Sequence, residues 1–126
     1  MSEASRRAAL ARGAAAEGVV AGHLVSEGWT VLARNWRGGG GELDLVVRRG
    51  DALRFVEVKA RESGDASGWD AVDGVKQGRL IGAAEAWLAA QDAPLGEVCF
   101  LLAVVELHGD AVRIEWVDDP FDGPVA

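Results

Sequence analysis

The sequence has few of the residues that build disulfides or zinc sites, and it has no long apolar run. Cys99 is its only cysteine, so no disulfide can form within the chain, and one cysteine with two histidines is too few for a zinc site. No apolar stretch approaches the roughly 18 residues of a membrane-spanning helix. The N-terminal segment lacks a leucine-rich centre and contains Glu17, which favours a helix over a targeting peptide. We therefore expect a cytoplasmic protein with no membrane partner.

The net charge of −7 is unevenly distributed along the 126 residues. Residues 34–79 carry nine basic and eight acidic side chains, whereas residues 80–126 carry one basic and nine acidic side chains. An acidic chain, taken as a whole, argues against nucleic-acid binding. The basic residues of the central segment nevertheless surround its most unusual feature, a pair of charged strands.

Two short runs in this segment predict a β-hairpin. Residues 41–47 and 53–59 alternate with period two and are rich in β-branched and aromatic residues. The Gly50-Asp51 pair between them is typical of a two-residue hairpin turn. The apolar face of this hairpin is predicted to carry Leu43, Leu45, Val47, Val56 and Val58.

The other face of the predicted hairpin is charged. The same register places Asp44 opposite Glu57 and Glu42 opposite Lys59. Two carboxylates about 5 Å apart at Cβ repel by roughly 3 kcal/mol at an effective dielectric of about 20. A divalent cation would remove this repulsion. The alternative is a solvated outer face, since antiparallel sheets often leave one face in water.

Residues 5–27 predict an alanine-rich helix with an acid on its apolar stripe. In a projection at about 100° per residue, Glu17 lies in the middle of that stripe. The stripe consists of Leu10, Gly13, Ala14, Val20, Ala21 and Leu24. Buried acids are uncommon without a partner, which favours a functional role for Glu17. The alternative is a structural carboxylate bonded to the backbone or to an arginine.

The remaining pattern predicts one more helix and three more strands. These are a strand at 29–36, a helix from Asp70 to about Ala90, a buried strand at 98–105 and an edge strand at 112–117. Lys76 lies on the apolar face of that helix, where a lysine either has a function or extends outward to solvent. The order α-β-β-β-α-β-β predicts one α/β (α+β) domain over residues 1–126, with a core at about 5–117 and a tail at 118–126.

Gly38–Gly41 is a run of four glycines after the first strand. It lacks the Lys-Ser/Thr that completes a phosphate-binding P-loop. It therefore predicts a flexible connection or a place where a ligand approaches the backbone closely.

An aspartate on one strand, Glu-x-Lys on the next and an acid on the preceding helix resemble the PD-(D/E)-x-K pattern. Restriction endonucleases and archaeal Holliday-junction resolvases share that pattern. The chain resembles the bacterial YraN-type family more closely still. The matching pieces, which extend over most of residues 10–90, are Gly13–Glu17, Arg34–Arg37, Gly41–Val46, Phe55–Arg61 and Lys76.

The resemblance implies a restriction-endonuclease-like core, α-β-β-β-α-β, with a mixed central sheet flanked by helices. It implies that Asp44, Glu57 and the Val58 carbonyl bind Mg²⁺ or Mn²⁺, which activates a water and steadies the scissile phosphate. Lys59 would position that water or neutralise developing charge, and Glu17 would complete the acidic cluster. The residues expected to bind nucleic acid are Arg34, Arg37, Arg61, Lys76 and Arg79.

By this resemblance the chain is expected to hydrolyse DNA, branched or duplex, as a structure-selective endonuclease, with a homodimer left open. One departure is Cys99-Phe100-Leu101, where the family usually carries an Arg-Phe-Asp run. This departure and the acidic C-terminal third favour an alternative, an inactive nuclease fold that binds nucleic acid or a protein. A third interpretation is an interaction scaffold that uses an exposed Trp36 and Trp69.

Overall fold

The computed structural model of the protein describes residues 2–62, 74–92, 96–108 and 111–118, apart from the side chains of residues 9–11, 62, 107 and 108. Two helices and five strands occupy these residues. They are α1 (Glu3–Ser26), β1 (Thr30–Gly38), β2 (Gly41–Arg49), β3 (Ala52–Glu62), α2 (Gly74–Ala89), β4 (Glu97–His108) and β5 (Ala111–Asp118). The predicted order of elements is confirmed. The predicted start of the second helix at Asp70 lies outside the described residues.

The five strands form one mixed sheet in the order β1-β2-β3-β4-β5. Tight turns join β1, β2 and β3, which pair antiparallel. Because α2 connects β3 to β4, those two strands pair in parallel, and β5 returns antiparallel at the edge. The predicted mixed sheet flanked by helices is therefore confirmed. Neither helix in the described part of the chain is long and apolar enough to cross a membrane.

α1 packs on one face of the sheet through small and branched side chains. Ala16, Val20 and Ala21 are fully buried and Leu24 nearly so. Their partners on the sheet are Leu45, Val47, Val56, Leu101, Ala103 and Val105. The sequence predicts Ala14 on the same stripe, but Ala14 lies just beyond one edge of the buried face of α1 and is exposed.

α2 covers the other face and packs against most of the aromatic core. Trp87 contacts Phe55 edge-on with 5.8 Å between ring centroids, and Phe55 contacts Phe100 at 5.5 Å. Trp36 packs against the same cluster and is partly buried. The prediction of an exposed Trp36 is therefore wrong, because α2 and its cluster cover that side of β1. Trp69 lies outside the described residues.

Asp44 marks a break in the alternation of β2. Val46 and Leu43 both belong to the α2-side cluster, while Leu45 between them belongs to the α1-side cluster. The prediction that Leu43 and Leu45 share a face is therefore wrong. On the neighbouring strand Asn35 has a φ of 47°, in the left-handed region that asparagine tolerates better than most residues. Because of this break, the alternation of side chains along β2 no longer determines the direction of the Asp44 side chain.

The glycine run Gly38–Gly41 forms the turn between β1 and β2 and lies directly against α2. A Cβ on Gly39 would collide with the backbone carbonyl of Gly82, and a Cβ on Gly41 would collide with that of Arg79. The sequence predicted a flexible connection or the close approach of a ligand, whereas the structure shows the backbone of α2 against Gly39 and Gly41. This contact fixes the N-terminal half of α2 beside the charged end of β2.

Candidate active site in a charged cleft

The hairpin of β2 and β3 has the predicted turn and the predicted register near that turn. Its loop is Gly50-Asp51, and pairing continues as far as Leu45 and Val56. The ladder ends there, so the predicted pairing of Glu42 with Lys59 is wrong. The break at Asp44 is the reason, because beyond it β2 stays paired with β1 and separates from β3.

Asp44 lies where the two strands separate. Its Oδ2 accepts a hydrogen bond from the Val58 backbone N–H at 2.8 Å. Its carboxyl group is also hydrogen-bonded to that of Glu57. The predicted approach of Asp44 to Glu57 is thus present in the geometry, although the two residues are not ladder partners.

Glu57 is nearly buried, and it lies beside one negatively charged group, Asp44, and one positively charged group, Lys76. Only 9% of the residue is exposed. Burial and then the negative charge of Asp44 raise the pKa of Glu57 to about 7, against the opposing effect of Lys76. The Lys76 Nζ lies 2.9 Å from the Glu57 Oε1. Near neutral pH this carboxyl therefore exchanges readily between its charged and neutral forms.

Glu17 of α1 lies near enough to Asp44 and Glu42 for their charges to affect its carboxyl group. Burial raises the pKa of its carboxyl and the charge of Asp44 raises it further, whereas a hydrogen bond with Asn35 lowers it. The side chain is partly exposed, and it is not among the residues that line the cleft described below. Arg34 also lies close enough to lower the pKa of Glu17.

A cleft of about 710 Å³ opens beside the acidic pair, between the β1–β2 turn, β3 and the first turns of α2. Three acids and three bases line it. They are Glu42, Asp44, Glu57, Arg37, Lys76 and Arg79. Arg37 is exposed, with its Nε 3.6 Å from the Glu42 Oε2. The cleft can therefore accept an anion at its basic rim and a cation at its acidic interior.

Two predicted site residues of β3 lie away from this cleft. Lys59 is not among the residues that line it. Arg61 binds Glu106 of β4 at 3.2 Å and Glu115 of β5 at 3.3 Å, and only 18% of its side chain is exposed. Because two carboxylates already neutralise Arg61, the geometry gives no support to its predicted role in binding nucleic acid.

The oxygen atoms at the end of the ladder suit a hard divalent cation, which prefers oxygen ligands. Asp44 and Glu57 supply two carboxylates. The Val58 carbonyl is directed to the same side of β3 as its N–H, which faces Asp44. Across the described residues no group of three His, Cys, Asp or Glu side chains is arranged to hold a metal ion. A metal here would therefore depend on the two carboxylates, a backbone oxygen and water.

Two features of the site were not found from the sequence. The ammonium group that contacts Glu57 belongs to Lys76, not to Lys59. Asn35 was not a candidate, yet it bonds Glu17 and lies beside the break at Asp44. An asparagine inside a strand was the available signal, since it is a poor strand former and tolerates positive φ.

Fold and cleft together define an α+β protein with a mixed five-stranded sheet and an acidic pair at the end of its central hairpin. The chain matches the Uncharacterised protein family UPF0102 over residues 16–114. A UPF0102 protein of Gloeobacter violaceus is 50% identical over 109 residues, covering 82% of this chain and 86% of the relative. One of Methylorubrum populi is 46% identical over 112 residues, covering 89% and 82%. One of Nitratidesulfovibrio vulgaris is 43% identical over 113 residues, covering 89% and 84%.

The chain belongs to the UPF0102 family, which agrees with the YraN-type resemblance stated from its motifs. The matched segment contains every residue that lines the cleft. The similarity therefore extends over the whole candidate site.

Proposed function

We propose that the protein is a metal-dependent endonuclease that hydrolyses DNA. The observation that carries this proposal is the close pair of Asp44 and Glu57 inside an open cleft with a basic rim. Such a pair costs stability in the absence of a ligand, because like charges in a sheltered site repel. Strongly perturbed acids in a cleft are typical of functional sites. The PD-(D/E)-x-K resemblance supplies the reaction.

Asp44, Glu57 and the Val58 carbonyl would hold Mg²⁺ or Mn²⁺, which lowers the pKa of a bound water and neutralises charge on the scissile phosphate. The protein's own groups orient this centre. The Val58 N–H fixes the Asp44 carboxylate, and burial excludes water from one side of Glu57. Glu17 would hold a water at the mouth of the site, and Lys59 stays a catalytic candidate on the sequence pattern alone.

Basic side chains around the cleft would bind the sugar–phosphate backbone. Arg37, Lys76 and Arg79 line it, and Arg34 lies near Glu17. Contacts to phosphates position DNA but carry no sequence information. This favours selection of DNA by its shape, as expected for branched or duplex substrates, over selection by base sequence.

A second function is favoured by the ion pair between Lys76 and Glu57, which places a protein cation where a metal would bind. If that pair persists, the protein is a module that binds nucleic acid or a protein without cutting. The Cys99-Phe100-Leu101 run supports this alternative less than its sequence suggested. Leu101 packs in the α1-side cluster, and neither it nor Cys99 lines the cleft.

Cleavage assays distinguish the two functions. Branched, single-stranded and duplex DNA are incubated with the protein in Mg²⁺, in Mn²⁺ and in chelator. We expect metal-dependent cleavage by the wild type and a loss of about a hundredfold or more in Asp44→Ala. Glu85→Gln, which alters an exposed acid of α2, is the matched control and should cleave normally. Tight DNA binding without cleavage, unchanged in Asp44→Ala, would instead establish the binding module.

Dimerisation and a cytoplasmic location stay predictions of the sequence.

A further inference from the structure

Lys76 lies where it can neutralise the acidic pair. Its Nζ is 2.9 Å from the Glu57 Oε1, and Glu57 in turn contacts Asp44. The Glu57 side chain is 11% exposed and the Lys76 side chain 40% exposed. Water therefore screens the carboxylate poorly, and the ammonium reaches it from the open side of the cleft. An ion pair sheltered in this way is stronger than one between two exposed side chains.

We propose that Lys76 is a built-in counter-ion of Glu57 that a divalent cation displaces, and that the displaced ammonium then binds a phosphate in the cleft. This rests on the proposed function for the identity of the cation and of the phosphate. In this scheme Lys76 acts on the metal through Glu57 and on the substrate through direct contact with a phosphate. Its flexible four-carbon stem lets the ammonium leave Glu57 while α2 stays in place.

The exchange follows from charge. A cation bound by Asp44 and Glu57 repels the nearby Lys76 ammonium, and the same cleft contains Arg37 and Arg79 as further phosphate ligands. Metal binding would thus free one more cation for DNA. By linkage, DNA that engages Lys76 must tighten metal binding by the same factor. The site would then bind its metal weakly in the absence of DNA and more tightly when DNA is bound.

Arg79 provides the matched comparison. It follows Lys76 by three residues on α2 and lines the same cleft. Within the described residues Arg79 forms no ion pair, whereas Lys76 is bound to Glu57. Removing either side chain takes one positive charge from the cleft, but only the removal of Lys76 vacates the carboxylate.

The test is Mn²⁺ titration of the chelator-treated, DNA-free protein by calorimetry. Lys76→Met keeps the length of the side chain without its charge. We expect the affinity of this variant for Mn²⁺ to be at least about tenfold higher than that of the wild type. Arg79→Met should gain no more than about threefold from the general loss of charge. Lys76→Arg restores a cation and should return the affinity to near the wild-type value. Should Lys76→Met fail to fold, as judged by circular dichroism, Lys76→Gln takes its place.

A second measurement tests the phosphate half of the exchange. Fluorescence anisotropy of a duplex is recorded in Ca²⁺ and in chelator, with gels to check that the DNA stays intact. The wild type should gain affinity on addition of Ca²⁺, and Lys76→Met should gain about tenfold less. An equal gain in both proteins would overturn the transfer of Lys76 to phosphate.

The calorimetric outcomes also separate the inference from the proposed function. If Lys76→Met and Arg79→Met bind Mn²⁺ equally well while Asp44→Asn loses binding, the counter-ion role is wrong and the metal site stands. If none of these proteins binds Mn²⁺, both the counter-ion role and the metal-dependent function are wrong. If only Lys76→Met binds Mn²⁺, the counter-ion role is supported in its strongest form.

Discussion

The clearest quantitative consequence of the site is a loss of stability as the Glu57 carboxyl ionises. Burial and the charge of Asp44 raise its pKa from 4.5 to about 7. A change of this size corresponds to about 3 kcal/mol of free energy. Between these two pH values the folded protein retains a proton that the unfolded chain has released. The stabilisation that this group contributes is therefore greatest below about pH 4.5. It decreases as the pH rises and is lost above about pH 7.

Glu57→Gln removes the titration while keeping the shape of the side chain. The free energy of unfolding of the variant, minus that of the wild type, should rise by about 3 kcal/mol between pH 4.5 and pH 8. For a domain of this length that corresponds to roughly 10 °C in melting temperature. The constant offset from the lost contact with Lys76 does not alter this slope.

Urea or thermal melts of both proteins at several pH values, without divalent metal, measure the difference. Glu85→Gln controls for the loss of an exposed carboxylate and should follow the wild type at every pH. A difference between Glu57→Gln and the wild type that stays flat from pH 4.5 to pH 8 would refute the account. It would mean that Glu57 is better compensated by Lys76 than its burial suggests.

Three further predictions follow from the site and its supports. At a free Mn²⁺ concentration 100 times the dissociation constant, the free energy of unfolding of the wild type should increase by about 2.7 kcal/mol, and that of Asp44→Asn by much less. Equal increases in thermal melts would mean that the metal binds elsewhere. Asn35→Ala should be about 1 kcal/mol less stable than Asn35→Gly in urea melts, because both variants lose the contact with Glu17 but only glycine adopts the positive φ without strain. Gly41→Ala should lower the free energy of unfolding by roughly 1–3 kcal/mol, because the added Cβ collides with α2. Gly78→Ala, with open space around it, should cause no loss. Equal losses in the two variants would show that the turn does not position the helix.

The parts of the fold that depend on neighbours in the sequence could be predicted. The Gly50-Asp51 turn and the alternation on both flanking runs determine the hairpin near its turn, and the apolar run at 98–105 indicates a buried strand. Each of these signals is local, because a turn type or a period of two needs only a few adjacent residues.

The parts that failed depend on contacts between distant elements. Pattern alone extended the ladder past Leu45, because nothing in the sequence of β2 shows that Asp44 will bind the Val58 N–H. The contact of Lys76 with Glu57 was also missed, because Lys76 was expected to contact phosphate and not this carboxylate. The approach of Lys76 depends instead on how the glycine turn seats α2 against β2, which is a tertiary contact.

The irregular end of the sheet is itself an argument that the acidic pair has a function. A continued ladder would satisfy the Val58 N–H with a backbone carbonyl, at no cost in buried charge. The protein instead satisfies it with the carboxylate of Asp44, beside a second carboxylate that burial destabilises. It also holds Asn35 in the left-handed region next to that point. Each of these choices lowers stability relative to a regular sheet, and together they direct oxygen atoms into one cleft. Departures from regular structure that converge on one place are expected where the residues serve a functional site and not the stability of the fold.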